Sequence, residues 1–475
     1  MSGKRIILWL RNDLRLHDNI ALKTALENAD EIIPVYCFDP RHYHSTSIDF
    51  PKTGPYRTRF LLETLSNLRE SYWKKGADII IRQGLPERIL PEIASQYNAS
   101  GVVASKEVTY EEISVEDKLE QALYSLGKSF TLVWQSTLLH TDDIPWPIRN
   151  LPDTFTDFRK ESERSVKVRD TVAVPDNIPF PNNLQTGDLP EPQDLGVDDA
   201  TFDNRGVLNF RGGEGAALDR LQEYIWEKDL LKSYKETRNA MLGADYSSKF
   251  SPWLANGSLS PRRIYEEVRK YERERVENQS TYWLIFELRW RDYFRFVAKK
   301  YGKLIFLEKG PKEKSLDDLT NDTEKFNQWI EGRTGIPFID ANMIEIARTG
   351  YMSNRGRQNV ASFLVKDLKV NWTWGASYFE SLLVDYDPCS NWGNWCYVAG
   401  VGNDPRNNRY FNIISQATKY DGKGEYVKHW LPQLKPLPSS MIHHPGYQKE
   451  DELREYGINL PEDYPEPVVD FERWV

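Results

Sequence analysis

The chain has 475 residues and a formal net charge of −9, and 40% of its residues are hydrophobic and 28% charged. Its length exceeds what one hydrophobic core usually serves, and its composition excludes disordered and membrane-embedded classes of protein. No apolar run approaches the roughly 20 residues that a membrane span needs. The negative charge argues against a protein that coats nucleic acid, although it leaves room for one basic face.

The cysteine content indicates the compartment. Cys37, Cys389 and Cys396 are the only cysteines, which argues against a disulfide framework and a cysteine-based zinc site, so we expect no metal. The N-terminal MSGKRIILWLRNDLR lacks a cleavage motif of small residues, so we expect no signal peptide. We therefore expect a reducing compartment, namely the cytoplasm, or the nucleus or an organelle in a eukaryote.

The first 135 residues alternate between strand and helix patterns. Short apolar runs predict buried parallel strands at 5–10, 31–38, 78–81, 101–104 and 130–134. Helical patterns lie between them near 18–28, 56–75, 86–97 and 112–126. This alternation predicts a doubly wound α/β domain over 1–135. No G-x-G-x-x-G motif follows the first strand, which argues against a dinucleotide here, while a ligand at the carboxyl ends of the strands is still expected.

The rest of the chain predicts a linker, a helical domain and a tail. Residues 136–205 are rich in proline and aspartate and predict a surface linker that holds one short helix near TDFRKESER. After residue 206 the hydrophobic pattern is helical almost to residue 385, which predicts a helical domain over 206–435, and Ser260 and Pro261 open one helix as N-cap and first helical residue. Residues 436–475 are spaced by prolines and predict a short docked tail.

The segment YSSKFSPWLANGSLSPR carries donors suited to a phosphate. Ser247, Ser248, Lys249 and Ser251 bring hydroxyls and an ammonium to the start of a helix, and Tyr234 lies shortly before them. A helix start also offers free backbone N–H groups, so the combination predicts an anion site. An ordinary capped turn is the alternative.

An aromatic helix, STYWLIFELRWRDYFRFVAKKYG, is predicted at 280–302. Glu287 and Arg291 lie four residues apart, so they share a face and are expected to pair, and Trp290 lies near that face. A functional site and a buried salt bridge on a core helix are both compatible with this pattern.

The segment DYDPCSNWGNWCYVAG at 385–400 combines carboxylates, amides and indoles. The residue before a proline avoids the helical region, so Asp385 and Asp387 should alternate in extended chain and point the same way. Arg357, three residues after Asn354 on a preceding helix, is a natural partner for either aspartate. Together with the phosphate donors, this set predicts a site for a large, flat, phosphorylated heterocycle.

Several motifs resemble those of the photolyase/cryptochrome family. They are RNDLR, SKFSPWLANGSLSPR, ELRWRDYFRF, NRGRQNVASFLVKDL and DYDPCSNWGNWCYVAGVGNDPRNNRYFN. The resemblance covers residues 4 to 434, and within the family the chain resembles the cryptochrome DASH subgroup. It implies an N-terminal α/β antenna domain and a C-terminal all-α domain that binds FAD.

The resemblance also implies which residues bind FAD. Those around the phosphates are Tyr234, Ser247, Ser248, Lys249, Phe250 and Ser251. Those along the flavin and the ribityl chain are Asn354, Arg357, Asp385, Asp387 and Asn391, and Glu287 and Arg291 also contact the cofactor. Asn391 matches the position that faces flavin N5, where an amide cannot readily donate a proton, so an anionic flavin radical is favoured.

A pocket for a pyrimidine dimer flipped out of DNA is implied as well. The catalytic residues are Glu287, Trp290 and Asn391, and the DNA contacts are Trp290, Arg291, Asn354, Gln358 and Tyr397. Double-strand-specific photolyases have a tryptophan and a methionine where this chain has Tyr397 and Gln358, so this pocket is more polar and stacks less. The basic residues expected to hold an unpaired strand are Arg291, Arg295, Arg355, Arg406 and Arg409.

Two accessory features follow from the resemblance. Trp395 and Trp372 match the inner and middle members of the family's electron-transfer triad, whose outer position falls on Leu319, which cannot serve. Trp374 is the expected substitute, whereas we expect Trp329 to be a core residue. Glu107, otherwise one exposed glutamate among many, matches the ligand of a 5,10-methenyltetrahydrofolate antenna, with a deazaflavin as the alternative.

The function implied is an FAD-dependent, light-driven lyase. It would split cyclobutane pyrimidine dimers, chiefly in single-stranded DNA, as a monomer without a membrane or metal partner. A non-catalytic blue-light receptor is the alternative, against which Asn391 and the lack of a long disordered C-terminal extension argue. A flavin enzyme acting on a small molecule is a third hypothesis, but the sequence lacks a separate acid–base pair for it.

Overall fold

The computed structural model describes residues 3–46, 48–406, 409–470 and 474. Its N-terminal part contains a parallel sheet whose described strands lie in the order β3-β2-β1-β4-β5. The strands are β1 (Arg5–Leu10), β2 (Glu31–Phe38), β3 (Ile80–Gln83), β4 (Gly101–Ser105) and β5 (Ser129–Val133). The helices that connect them are α1 (Ile20–Asn28), α2 (Pro55–Trp73), α3 (Pro86–Gln96) and α4 (Tyr110–Ser125). The predicted doubly wound α/β fold is confirmed.

Both faces of the sheet are covered because alternate side chains of β1 enter two separate cores. Ile6 belongs to the same buried cluster as Leu65 of α2, and Ile7 belongs to the cluster that contains Leu90 of α3. This arrangement explains why the strands are apolar without alternation.

The third strand begins later than the sequence predicted. The prediction was 78–81, whereas β3 begins at Ile80, opposite Val35 of β2. The Asp78 carboxylate pairs with Arg69 at 2.7 Å and accepts the N–H of Ile79, so the chain at 78–79 is held by side chains instead of by the strand ladder.

The segment between the two domains is hydrogen-bonded to both of them. It holds α5 (Phe155–Ser165), where the sequence predicted a short helix. Its Pro179 and Thr186 carbonyls accept the N–H groups of Ile32 in β2 and Ile81 in β3, each at 2.7 Å. At its start, the N–H groups of Leu138 and Leu139 donate to a buried aspartate of the helical part, Asp292.

The C-terminal part is helical, and its long central helix positions the site. Its helices are α6 (Glu214–Gln222), α7 (Tyr234–Thr237), α8 (Ser251–Ala255), α9 (Pro261–Glu274), α10 (Gln279–Tyr301), α11 (Thr323–Ile330), α12 (Pro337–Thr349), α13 (Asn354–Ser362), α14 (Trp372–Leu382), α15 (Pro388–Ala399), α16 (Ile413–Tyr420), α17 (Glu425–Trp430) and α18 (Glu450–Arg454). Ser260 caps α9 by accepting the N–H of Arg262, as its sequence position predicted. Near the C-terminus, the Tyr464 hydroxyl donates to buried Asp340 of α12, which docks the tail.

Within the described residues, no helix is both long and apolar enough to cross a membrane. The same residues contain no group of three or more His, Cys, Asp or Glu side chains placed to hold a metal ion.

Candidate cofactor and substrate site

A charge pair between a partly buried arginine and a buried aspartate joins α13 to the segment before α15. Both oxygens of the Asp385 carboxylate accept from Nη2 of Arg357, at 2.9 and 2.8 Å, and the Arg357 Nε donates to the Met352 carbonyl. The Ser353 side chain caps α13, which places Arg357 in its first turn. Arg357 therefore pairs with Asp385, which decides between the two aspartates that the sequence offered.

The two aspartates of this segment take different partners, which the sequence did not predict. Asp385 lies in a turn and faces Arg357, whereas Asp387 is the N-cap of α15 and accepts the N–H of Ser390 at 2.7 Å. Pro388 occupies the first helical position, which favours Asp387 as the cap and directs its carboxylate along the helix.

Asn391 lies one turn beyond the Asp387 cap and is buried. Its amide nitrogen donates to the Ala376 carbonyl of α14 at 3.0 Å, which fixes the orientation of the side chain. By contrast, Asn354, the first residue of α13, is exposed to solvent.

Lys249 belongs to a cluster of three buried polar groups without hydrogen-bond partners. The Lys249 ammonium, the Tyr246 hydroxyl and one carboxylate oxygen of Glu345 have no partner among the described residues, although Lys249 lies only 3.0 Å from the centroid of the Tyr246 ring. Burial lowers the pKa of Lys249 well below its ordinary value and raises the pKa of Glu345 to about 7. Buried polar atoms are normally hydrogen-bonded, so this cluster indicates space for a polar ligand.

The loop that carries these predicted phosphate donors is held by a residue that the sequence analysis missed. Arg220 of α6 is buried and donates to the carbonyls of Ala244, Ser247 and Ser248. Lys249 in this loop has a φ of +61°, a left-handed conformation that is uncommon for a residue with a side chain. Ser248 and Phe250 are buried, and Ser247 and Ser251 are partly exposed. No sequence signal distinguished Arg220, which is the basic residue of α6, from basic residues elsewhere in the chain.

Glu287 pairs with a different arginine from the one predicted. Its carboxylate accepts from Arg238, which lies just after α7, in a short hydrogen bond. Arg291 donates to the Ser136 and Leu254 carbonyls at 2.5 and 3.0 Å and thus tethers the linker. Burial raises the pKa of Glu287, against the opposing charge of Arg238. Tyr234 is buried nearby.

Trp290 and Tyr397 form two walls that stand at a right angle. Phe155 of the linker stacks on Trp290 at 3.6 Å and 15°, and the Tyr397 ring meets the Trp290 ring edge to face at 6.0 Å and 89°. The Tyr397 hydroxyl accepts from Arg409 at 3.1 Å, and Arg409 pairs with buried Asp404. Tyr397 is therefore held in place by an arginine.

Gln358 is held in the same manner by Arg355. The Arg355 guanidinium donates to Gln358 at 2.8 Å and to Asn239 at 2.9 Å, and it lies over the Tyr420 ring at 4.4 Å. The two positions at which the sequence departs from double-strand-specific photolyases are thus each bonded to an arginine.

Arg295 is not available to DNA, contrary to the prediction. It is buried and forms ion pairs with Glu107 of the α/β domain and with Asp387, the latter at 3.4 Å. Glu107 is also buried, whereas its sequence context suggested an exposed glutamate. A buried guanidinium must be compensated by opposite charge, and two carboxylates from different segments supply it, which explains why Arg295 and Glu107 are both buried.

Trp395 and Trp372, the predicted inner and middle tryptophans, each contact a different indole and not one another. Trp395 meets Trp329 edge to face at 6.3 Å, and Trp372 meets Trp392 at 5.9 Å. Among the ring contacts of the described residues, none joins Trp372 to Trp395.

A continuous set of aromatic contacts leads from Trp395 to Trp374. Trp329 is fully buried, as expected, but it stacks on Phe326 at 5.9 Å, and Phe326 contacts partly exposed Trp374 at 5.3 Å. Leu319, at the position of the outer member, is partly buried and aliphatic.

Family models match both parts of the chain. One, described as DNA photolyase, matches residues 6–179, and another, described as the FAD binding domain of DNA photolyase, matches residues 283–474.

Full-length similarity extends to both cryptochromes and photolyases. The chain is 50% identical to the cryptochrome DASH of Gloeobacter violaceus over 99% of this chain and 94% of that protein. A crystal structure of a Synechocystis cryptochrome superposes with a TM-score of 0.96 at 51% identity, covering 99% of this chain and 98% of the other. A class III photolyase from Agrobacterium tumefaciens superposes with a TM-score of 0.86 at 29% identity, covering 100% and 96%.

Proposed function

We propose a light-driven DNA-repair function for this chain, which belongs to the photolyase/cryptochrome family and, within it, to the cryptochrome DASH subgroup. The reaction proposed is the splitting of cyclobutane pyrimidine dimers, chiefly in single-stranded DNA. FAD is the cofactor, since the helical part matches an FAD-binding domain. When bound, FAD supplies the photoexcitable electron donor that such a reaction needs.

The residues around Lys249 fit the pyrophosphate of FAD. An unpartnered buried ammonium and hydroxyl are suitable donors for phosphate oxygens, and the left-handed turn at Lys249 brings backbone close to the same place. We assign Ser247, Ser248 and Ser251 to the phosphates, and Arg357, Asp385 and Asn391 to the flavin and ribityl chain.

Glu287 and Trp290 would act on the dimer. Trp290 is supported from behind by Phe155, so its indole is fixed as a surface on which a flipped base can stack. Glu287 is held near this surface by Arg238, and burial raises its pKa, the direction that favours the protonated carboxyl required to stabilise the negative charge that the dimer gains.

The right angle between Trp290 and Tyr397, with Arg409 bonded to the Tyr397 hydroxyl, is the observation that carries the single-strand preference. Flipping a dimer from duplex DNA costs a few kcal/mol, and least from a single strand. An aromatic–base stack contributes about 1–3 kcal/mol, and a phenol held edge-on by an arginine supplies less of it than a stacked indole. The loss is comparable with the flipping cost, so duplex repair should suffer most.

The test is repair of one dimer in an oligonucleotide, either free or annealed to its complement. We expect faster repair of the free strand at ordinary salt, and equal rates would refute the strand preference. Replacing Tyr397 with Trp together with Gln358 with Met should recover part of the duplex activity, whereas Tyr124→Trp, on an exposed surface of α4, should not.

A non-catalytic blue-light receptor is the second candidate, and the cryptochrome names of the relatives favour it. It would use the same cofactor site without DNA repair. Loss of flavin absorbance under blue light with a reductant, but no repair of either substrate, would select this function.

We further propose a folate antenna near Glu107 and a monomer in the cytoplasm. The three cysteines are buried and unpaired, which is compatible with a reducing compartment. Acid release of the chromophore would distinguish a folate from a deazaflavin by absorbance. Light scattering would measure the oligomeric state.

A further inference from the structure

The side of α10 that carries Glu287 and Trp290 continues as an aromatic stripe toward the start of the helix. Trp283, Phe286, Glu287 and Trp290 follow the spacing i, i+3, i+4 and i+7, so they share one side of the helix. These four side chains are partly exposed. The neighbouring positions that are buried are Leu284, Ile285, Leu288 and Arg289. The stripe is therefore the less buried side of the helix, with its rings packed against the core on one side.

The rings of the stripe are already stacked on one another. Trp283 and Phe286 stack at 4.7 Å and 24°, and Phe286 meets Phe155 edge to face at 5.2 Å. Phe155 in turn stacks on Trp290. Trp283 and Trp290 are two helical turns apart, about 10 Å along the axis, a distance of a few nucleotides at most in a nucleic-acid strand.

Cations line this stripe. The Lys235 ammonium lies 4.9 Å from the centroid of Trp283, and the Arg159 guanidinium lies 5.6 Å from that of Phe286. Lys235 has the neutral amide oxygen of Gln279 as a hydrogen-bond partner, at 3.5 Å. In a chain with a net charge of −9, cations beside stacked rings are complementary to a polyanion with flat bases.

Two carboxylates also lie near the stripe, and both are engaged. Glu163 accepts from Arg159 and from the Tyr282 hydroxyl. Glu236 accepts from the Ser280 hydroxyl at 2.7 Å.

We propose that Trp283 and Phe286 form a second stacking subsite for an unpaired base that flanks the dimer, with Lys235 on a neighbouring phosphate. This inference rests on the proposed function and adds a reason for strand preference. A base in a duplex is paired and stacked within its helix, so it cannot enter the subsite, whereas the same base in a single strand can.

The experiment measures binding of undamaged oligothymidylate to the FAD-loaded protein, which does not depend on repair. Trp283→Ala should weaken binding roughly tenfold, because the substitution removes the indole on which the base stacks. Trp283→Phe should restore most of the affinity, which a merely structural effect of the position would not. The matched control is Trp73→Ala, since Trp73 is an exposed tryptophan with Arg69 over its ring at 5.4 Å on the far domain.

The salt dependence tests the phosphate contact. Lys235→Ala should reduce the slope of log affinity against log salt by about 0.7, the value for one single-strand phosphate. Lys270→Ala should leave the slope as it is, although Lys270 lies over Trp226 at the same 4.9 Å.

The outcomes separate the subsite from the proposed function. Equal single-strand binding by wild type and Trp283→Ala overturns the subsite, even if dimers are repaired. If Trp283→Ala loses binding but the wild type repairs no dimer, the subsite is supported and the repair function is refuted. Absence of any single-strand binding by the wild type overturns the subsite, and the repair assay alone then decides the proposed function.

Discussion

Asp385 illustrates how far a single residue could be understood from its sequence context. Asp385 was one of two aspartates predicted as partners of Arg357, and the structure forms this pair with two contacts to one guanidinium nitrogen. The helix-capping role of its neighbour Asp387 was not predicted. A residue type and its spacing thus predicted the chemistry of the site better than the geometry.

Removing the Asp385 carboxylate should both destabilise the protein and release FAD. Asp385→Ala leaves the Arg357 guanidinium without its partner, at an expected cost of roughly 3–5 kcal/mol. Denaturant unfolding and the ratio of flavin to protein absorbance measure the two effects. Asp318→Ala, which breaks an exposed pair with Lys369, should change neither, and full flavin content in Asp385→Ala would refute the assignment.

Glu345 should make stability depend on pH. Burial raises its pKa from 4.5 to about 7 in the folded protein, so folding favours the protonated form. The contribution of Glu345 to the free energy of unfolding is fully present below pH 4.5. It declines as the pH rises from 4.5 to about 7 and is lost above about 7. Between pH 4.5 and about 7 the free energy of unfolding should therefore fall further in the wild type than in Glu345→Gln, by roughly 3 kcal/mol.

Urea unfolding at pH 5 and pH 8 measures this difference. Other buried carboxyls titrate in both proteins, so the comparison isolates Glu345. Glu331→Gln, at an exposed position paired with Arg333, should follow the wild-type profile. Parallel profiles for wild type and Glu345→Gln would show that the carboxyl is not held in its protonated form.

At the scale of elements, the helices formed where their patterns predicted, but their contacts were chosen by packing. The face of α10 shared by Glu287 and Arg291 was recognised, yet Glu287 bonds to Arg238 and Arg291 bonds to backbone carbonyls. Helical spacing allows a pair at four residues, but it contributes only about 0.2–0.5 kcal/mol. A better-placed partner from another element therefore prevails.

The packing of α11, α14 and α15 leads to a prediction about electron transfer. Ring contacts run from Trp395 through Trp329 and Phe326 to Trp374. Because electron transfer falls steeply with distance, adjacent rings form the favoured route to the surface. Trp395→Phe should abolish flavin photoreduction, and Trp374→Phe should slow it.

Illumination of the oxidised flavoprotein with a reductant measures these rates. Trp226→Phe, remote from these helices, is the matched control and should retain the wild-type rate. An unchanged rate in Trp374→Phe would exclude this exit while leaving the inner tryptophan in place.

At the scale of the whole molecule, buried charges join the two domains. Arg295 of α10 contacts Glu107, which follows β4, and Asp387, which caps α15. One guanidinium thus connects the loop proposed to hold the antenna with the helix that carries Asn391 and Trp395. The linker also joins the two domains, because its carbonyls accept N–H groups of β2 and β3 and its N–H groups at Leu138 and Leu139 donate to Asp292 of α10.

Arg295→Ala should destabilise both domains together. It leaves two buried carboxylates uncompensated, at an expected cost of roughly 3–5 kcal/mol. Adding Glu107→Gln removes one of these charges and should recover part of the loss. Calorimetry measures both variants, with Arg333→Ala at an exposed ion pair as the control, and wild-type stability in Arg295→Ala would contradict the expected coupling.

The sequence by itself determined the sheet, the helices, the family and the kinds of residue at the site. Apolar runs, caps such as Ser260, and motifs around Lys249 and Asp385 act through neighbours close along the chain, so they can be recognised locally. The partners of Glu287 and Glu107 lie 49 and 188 residues away. Only the tertiary structure decided these pairs, because a buried charge takes whichever opposite charge the packing brings within reach.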